Sequence, residues 1–246
     1  MIRNFRLLIE YDGTNYAGWQ RQKHDPTIQG EIEKALETML GQTVSVIGSG
    51  RTDAGVHALG QTANFRCDTR LSSEAFQKGL NSLLNKDIVI KDCKEADIDF
   101  HARFNAKGKR YSYRIFNHSV ACSIGRQYCW WVRFPLDAEA MQRGADYLIG
   151  THDFKAFEGA GSPKKHTIRT VYQARFRQDG EYLIFDIEAD GFLRFMVRNI
   201  VGTLISVGIS KFQPDDVKRI LLSGDRANAG ITAPPQGLFL IEVRYE

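Results

Sequence analysis

The sequence lacks the features that define several common protein classes. It has no run of about eighteen apolar residues, so it predicts no membrane-spanning helix. Its four cysteines form no Cys-x-x-Cys pair, so neither a zinc site nor a dithiol redox motif is indicated. The N-terminus lacks the apolar core of a signal peptide. Together these absences predict a cytoplasmic protein with reduced thiols.

The charge balance permits a nucleic-acid partner without requiring one. Of the 246 residues 43% are hydrophobic, which is enough for a large core in one domain or two. The net charge is +4 and the sequence pI is about 8.8. Basic residues lie among aromatics at 100–110, and a second basic cluster spans 164–169.

Strand and helix patterns alternate along the chain. In the first hundred residues, strands are predicted at 5–11, 43–47, 61–66 and 87–92, with helices capped by Thr27 and by Ser72 or Ser73. The second half predicts strands at 111–116, 167–177, 181–190 and 238–244, and helices at 137–149, 193–207 and 214–222. Residues 151–163 are predicted to form a loop, and Asp179-Gly180 a hairpin turn.

This order of elements predicts an α+β fold with helices on one face of a mostly antiparallel sheet. The composition changes at 100–110, which suggests domains at 1–106 and 107–246. The two halves have a similar plan, and two such halves facing each other would leave a cleft between them.

A glycine-rich loop is the most distinctive local feature. Four glycines fall within residues 48–60, after a predicted strand. A phosphate-binding loop would need a Lys-Ser or Lys-Thr after the glycines, and the dinucleotide fingerprint needs glycine where Asp53 stands. Two interpretations remain: a tight turn with Asp53 as a local cap, or a catalytic carboxylate beside Arg51. If the chain is extended here, both side chains point the same way.

Four other residues carry open alternatives. Arg198 lies in a helix that is apolar on most sides, so it needs a carboxylate, either Asp53 or another acid. A nearby cation would keep an aspartate ionised. Tyr111 follows Lys-Gly-Lys-Arg and suits either a base-stacking position or a strand core. Leu238 could line a base pocket or simply belong to a strand, and Trp19 could contact RNA or be the packed residue of a surface loop.

Seven motifs in this order resemble the TruA family of tRNA pseudouridine synthases along nearly the whole chain. The most specific are GRTDAGVHA at 50–58 and FMVRNIVG at 195–202. The others are YDGTNYAGWQ at 11–20, FHARF at 100–104, YSYRI at 111–115, GTHDF at 150–154 and APPQGL at 233–238.

The resemblance implies isomerisation of uridine to pseudouridine at positions 38, 39 or 40 of the tRNA anticodon arm. It implies two α+β halves around one long antiparallel sheet, a homodimer, and no cofactor or metal. It makes Asp53 the catalytic aspartate and Arg198 its ion-pair partner. Arg51 would help to move the target base, Tyr111 would stack on that base and take the C5 proton, and Leu238 would form an apolar wall.

Two other functions remain as alternatives. A non-catalytic RNA-binding protein could use the same aromatics and basic stretches, although no signature of the common RNA-recognition domain is present. A glycoside hydrolase would need a second acid near Asp53. Asp12 and Asp153 are available for this, but turn roles explain both.

Overall fold

The computed structural model describes residues 1–159, 161 and 166–246. Packing within the chain defines two compact units. One is formed by Met1–Lys107 together with Phe239–Glu246, and the other by Gly108–Leu238. The first unit is therefore built from two separate parts of the sequence. The division into domains at 1–106 and 107–246 stays a prediction.

The first unit contains a mostly antiparallel sheet. Strand β1 (Ile2–Tyr11) pairs antiparallel with β3 (His57–Asp68) on one side and with β4 (Ile88–Ala96) on the other. Strand β2 (Ile47–Gly48) is a short antiparallel neighbour of β3. Strand β10 (Leu238–Arg244) runs parallel to β3 from Phe239 onward. The sheet thus holds both ends of the loop between β2 and β3.

Two helices complete the first unit, α1 (Ile28–Leu40) and α2 (Ser73–Leu83). The predicted cap of α1 is confirmed, because the Thr27 side chain accepts a hydrogen bond from the Gly30 N–H. The helix ends at Gly41, whose φ of 66° is left-handed, a conformation that glycine adopts at little cost. Ser72 caps α2 in the same way as Thr27 caps α1.

The predicted strand at 43–47 is largely wrong. Only Ile47 and Gly48 pair with a neighbouring strand. The backbone of Val46 bonds instead to side chains of α1: its N–H donates to Glu33 Oε1 at 2.9 Å, and its carbonyl accepts from Gln29 Nε2 at 3.1 Å. The valines in this segment are therefore buried against a helix and do not form a strand. The side chains of Glu33 and Gln29 bond to the backbone N–H and carbonyl of Val46, which a neighbouring strand would otherwise pair.

The second unit contains an antiparallel sheet in the order β5 (Gly108–Asn117), β9 (Tyr182–Ala189), β8 (Ile168–Asp179) and β7 (Gly150–Asp153). Strand β6 (Trp130–Val132) runs parallel to β5. The helices are α3 (Ala138–Asp146), α4 (Met196–Gly208) and α5 (Pro214–Ser223). Every residue of α4 except Arg198 is buried, which confirms that this helix is apolar on most sides.

The hairpin between β8 and β9 is confirmed, with Gly180 at a φ of 57°. Strands β6 and β7 were not expected from the sequence. Strand β7 has only four residues, too few to show alternation, and it depends on pairing with β8. Lys164 and Lys165 of the second basic cluster lie outside the described residues, as does part of the predicted loop at 151–163.

Both units combine helices with mostly antiparallel strands, which confirms the predicted α+β class. Among the residues described, no helix combines the length and apolar character needed to cross a membrane.

Candidate active site

Asp53 lies in the loop between β2 and β3, in the first unit. Burial alternates along this loop: Arg51 is exposed, Thr52 is buried and Asp53 is half-buried. Thr52 Oγ1 is 2.7 Å from the hydroxyl oxygen of Tyr11, and both groups are buried. The middle residue thus anchors the loop, and its two neighbours reach solvent.

Backbone hydrogen bonds from residues 11–19 also hold the loop that carries Asp53. The Trp19 N–H donates to the Thr52 carbonyl at 3.1 Å, and the Gly55 N–H donates to the Tyr16 carbonyl at 3.3 Å. Gly18 has a φ of 96°, and a Cβ atom there would lie 2.6 Å from the Thr52 oxygen. This close approach requires glycine.

A buried polar network supports the start of the loop. Ser49 Oγ donates to Gln61 Oε1 at 2.7 Å, and Gln61 Nε2 donates to the Gly50 carbonyl at 3.1 Å. Burial raises the pKa of Tyr11 well above its usual value, although hydrogen bonds from Thr52 and Gln61 oppose this shift. The Tyr11 hydroxyl therefore stays protonated at neutral pH.

Trp19 is an internal residue, only 2% exposed. A Cβ atom at Gly48 would lie 2.5 Å from the indole ring, so the ring packs directly beneath the strand that leads into the loop. The structure thus shows that Trp19 packs within the protein and is not displayed for contact with RNA.

His57 follows the loop and is 1% exposed. Its Nδ1 atom accepts a hydrogen bond from the Gly13 N–H at 3.1 Å and lies 3.1 Å from Asp12 Oδ1. The ring stacks on Phe239, with centroids 4.7 Å apart. These contacts indicate a structural role for His57, which packs between the loop and β10.

The two acids considered for a hydrolase have the turn roles expected of them. Asp12 Oδ1 accepts from the Thr14 N–H at 2.9 Å. Asp153 Oδ1 accepts from the Lys155 N–H at 3.0 Å. Both bonds are local side-chain-to-backbone contacts typical of turns.

Arg198 lies in the first turn of α4, in the second unit. Its Nε atom donates to the Ala233 carbonyl at 2.8 Å, and the Ala233 N–H donates to the Arg198 carbonyl at 3.0 Å. The guanidinium carbon is 4.9 Å from the centre of the Phe195 ring. Phe195 has a left-handed φ of 59°, which a side-chain-bearing residue rarely adopts. The orientation of Arg198 is therefore fixed by backbone and ring contacts.

Tyr111 and Leu238 are buried in the same unit, at 8% and 5% exposure. The Tyr111 ring meets Phe192 edge-on, with centroids 5.1 Å apart. Two residues along β5, the Tyr113 hydroxyl donates to the Pro234 carbonyl at 2.7 Å. Together with the Ala233 bonds, this contact places residues 233–238 between α4 and β5.

Arg51 and Asp53 thus belong to one unit, and Tyr111, Arg198 and Leu238 belong to the other. The ion pair between Asp53 and Arg198 joins residues of different units and stays a prediction. Among the described residues, no group of three or more His, Cys, Asp or Glu side chains could hold a metal ion.

Sequence reasoning missed the residues that hold this machinery in place. Tyr11 and Thr52 are 41 positions apart, so no local spacing links them. Asn199 is completely buried: its Oδ1 accepts from Thr232 Oγ1 at 2.7 Å and from Arg226 Nη2 at 3.1 Å. The one available signal was an asparagine inside an apolar helix, because a buried amide requires partners.

Similarity to known proteins assigns the chain to a family. A family model described as tRNA pseudouridine synthase matches residues 7–105 and 145–246. The chain belongs to the tRNA pseudouridine synthase family. Asp53, Arg198 and Leu238 lie inside the matched segments, and Tyr111 lies between them.

Proteins named tRNA pseudouridine synthase A match this family member over nearly its full length. The one from Thermoanaerobacter pseudethanolicus is 50% identical over 244 residues, covering 99% of this chain and 100% of the relative. Those from Acetivibrio thermocellus and Clostridium acetobutylicum are 48% and 46% identical with the same coverage. A solved structure titled "Crystal Structure of a Cbf5-Nop10-Gar1 Complex" matches 81% of this chain and 54% of its own, at 12% identity and a TM-score of 0.33.

Membership in the tRNA pseudouridine synthase family makes the chain an isomerase that acts on tRNA. This assignment favours an enzyme over a non-catalytic RNA-binding protein. The glycoside hydrolase interpretation is not needed either, since the side chains of Asp12 and Asp153 accept hydrogen bonds within local turns.

Proposed function

We propose that this synthase converts uridine to pseudouridine at position 38, 39 or 40 of the tRNA anticodon stem-loop, with Asp53 as the catalytic carboxylate. The observation that carries the proposal is the loop of Asp53. A half-buried carboxylate stands next to a buried anchor, Thr52, on a loop held by residues 11–19 from one side and by Gln61 from the other. Such a fixed acid suits a reacting group, because catalysis depends on precise placement.

The reaction requires few participants. The bond between C1′ and N1 breaks, the uracil turns, a bond forms between C5 and C1′, and the C5 proton leaves. No atom is gained and no oxidation occurs. An ionised aspartate can act as a nucleophile or as a base in this sequence. The target base must leave its stack, so new stacking and shape contacts have to offset the lost ones.

The other residues have supporting roles in this proposal. Arg51, exposed beside Asp53, helps to move the base out of the helix. Tyr111 stacks on the base and receives the C5 proton, which is general base catalysis. Arg198 pairs with Asp53 and keeps it ionised, and its fixed Nε contact suits this orienting role. Leu238 forms the apolar wall.

The direct test is tritium release from tRNA that carries 5-tritiated uridine, with wild type and Asp53→Asn compared. Wild type should release tritium from the anticodon arm, and Asp53→Asn should release none while binding tRNA normally. Asp68→Asn is the matched control, because it removes an exposed carboxylate at the far end of β3. Turnover by Asp53→Asn would exclude Asp53 as the catalytic group, and free uracil among the products would favour hydrolysis.

Arg198→Met provides a second test of the same site. It should lower the rate of isomerisation far more than it lowers tRNA affinity. A rate near that of wild type would show that Arg198 pairs elsewhere.

We also infer a cytoplasmic homodimer from the family resemblance, with the tRNA anticodon arm as partner. Light scattering after size-exclusion chromatography tests the dimer. A mass near the chain's 27.9 kDa at micromolar concentration would contradict it.

A further inference from the structure

Phe104 is a large apolar side chain displayed to solvent. It is 75% exposed, whereas Phe5, Phe65 and Phe76 of the same unit are fully buried. Single exposed apolar residues are common on protein surfaces. Phe104 differs because the backbone beneath it is held by several specific contacts.

A hydrogen-bonded turn fixes the position of Phe104. The Nδ1 atom of His101 accepts from the N–H groups of both Arg103 and Phe104, at 3.2 and 3.3 Å. Asn105 closes the turn: its Oδ1 accepts from the His101 N–H at 2.7 Å, and its N–H donates to the His101 carbonyl at 3.1 Å. The turn is therefore preorganised, so a ligand need not pay to order it.

Ala102 ties this turn to the interior of the first unit. The residue is completely buried. Its N–H donates to Asn64 Oδ1 at 2.8 Å, and its carbonyl accepts from the Tyr245 hydroxyl at 2.7 Å. With Ala102 anchored to β3 and to the C-terminal segment, the side chain of Phe104 is held outward.

The surroundings of Phe104 are aromatic and basic. The His101 ring lies 4.2 Å from the Phe104 ring at an angle of 31°. The guanidinium carbon of Arg103 is 5.8 Å from the ring centre. Residues 100–110 carry four lysines or arginines and no acid, although Asp97 and Asp99 precede them. An open aromatic ring beside cations matches the chemistry of unpaired RNA, in which bases stack and phosphates attract positive charge.

We propose that Phe104 is a stacking site for an unpaired base of the tRNA substrate, separate from the proposed catalytic site. The base extends the existing pair of His101 and Phe104 rings, and Arg103 and Lys107 contact neighbouring phosphates. This inference rests on the proposed function in taking tRNA as the ligand and in using Asp53→Asn to stop turnover during the measurement; base stacking on Phe104 itself involves no contact with Asp53.

The test measures the dissociation constant of an unmodified tRNA transcript over a range of salt concentrations, in an Asp53→Asn background that prevents turnover. Phe104→Leu keeps an apolar side chain but removes the aromatic ring. We expect about 5- to 150-fold weaker binding with an unchanged dependence on salt. Phe104→Trp should bind within about threefold of the parent, since it keeps a stacking surface.

Two controls separate stacking from other effects. Lys107→Ala should reduce the slope of log affinity against log salt concentration by roughly 0.7 to 0.9, because one phosphate contact is lost. Phe134→Leu should leave binding unchanged. Phe134 is likewise exposed, and Arg133 lies over its ring at 4.6 Å, but it belongs to the other unit.

Three results would overturn the proposal. One is a dissociation constant for Phe104→Leu within about twofold of the parent. Another is equal weakening in Phe134→Leu, which would indicate a general loss of surface aromatics. The third is normal tRNA binding with loss of self-association, which would assign Phe104 to a protein interface. If the parent bound no tRNA at all, the proposed function itself would fail, and this inference with it.

Discussion

Replacing Gly13 with alanine is expected to displace the loop that carries Asp53. A Cβ atom at Gly13 would lie 2.0 Å from the carbonyl oxygen of Val56. Nonbonded carbon and oxygen atoms settle at about 3.4 Å or more, so the two backbone segments must separate by roughly 1.4 Å. The obstacle is backbone, so a change of side-chain rotamer cannot relieve it.

The expected loss of stability follows from the contacts between these segments. Overpacking costs about 1 to 3 kcal/mol. The hydrogen bonds from Gly13 to His57 and from Gly55 to Tyr16 would each lose about 0.5 to 1.5 kcal/mol. Urea unfolding should therefore show a free energy of unfolding about 2 to 6 kcal/mol lower than that of wild type.

Turnover should fall more than stability alone explains. A displacement of about 1 Å at a reacting group can cost roughly 100-fold in rate. Tritium release, measured where Gly13→Ala is still folded, should show a loss of this order. Gly41→Ala is the control: nothing lies within 4 Å of a Cβ there, and a φ of 66° predicts a cost of about 1 to 2 kcal/mol without loss of turnover. Normal turnover and stability in Gly13→Ala would refute the proposed packing of the loop.

Three further predictions concern other parts of the chain. Tyr11→Phe leaves the buried Thr52 hydroxyl without its bond to Tyr11, so urea unfolding should show a loss of about 1 to 3 kcal/mol; an unchanged midpoint would contradict this role. The pKa of the Cys129 thiol is raised to about 12, chiefly because the thiol is buried. Iodoacetamide near pH 8.5 should therefore label the half-exposed Cys122 before Cys129, as measured by mass spectrometry. Faster labelling of Cys129 would contradict its burial. A hydrogen bond from an arginine holds the pKa of Asp216 below its ordinary value of 3.8, so its stabilisation is full above that pH and lost as the pH falls through the lowered value. Asp216→Asn should therefore lower the Tm at pH 7, and this difference from wild type should shrink as the pH falls below 3.8; a difference that does not shrink would exclude the charge as the cause.

Local patterns predicted the elements whose stability is mainly local. Helix α1 shows the expected cap and apolar spacing, because each of these acts within a few residues. The hairpin at Gly180 was also recognisable from its turn sequence. The strand at 43–47 was wrong because Glu33 and Gln29 supply the backbone partners of Val46, and no local pattern records such a contact.

The candidate site was predictable only in part. The position of Asp53 in a glycine-rich loop, and of Arg198 on a buried helix, could be read from the sequence. What fixes those side chains could not, because the Tyr11 contact to Thr52 and the Ala233 contact to Arg198 join distant positions. The pairing of Asp53 with Arg198 stays a prediction.

The divided sequence of the first unit has a consequence for folding order. Phe239 pairs with His57, and the Tyr245 hydroxyl bonds to Ala102, so the last residues of the chain complete a unit that begins at Met1. During synthesis, strand β3 stays without its parallel neighbour β10 until residues 108–238 have been synthesised. An exposed strand edge invites pairing with other chains. The period before β10 arrives is therefore when a nascent chain would be most prone to aggregate.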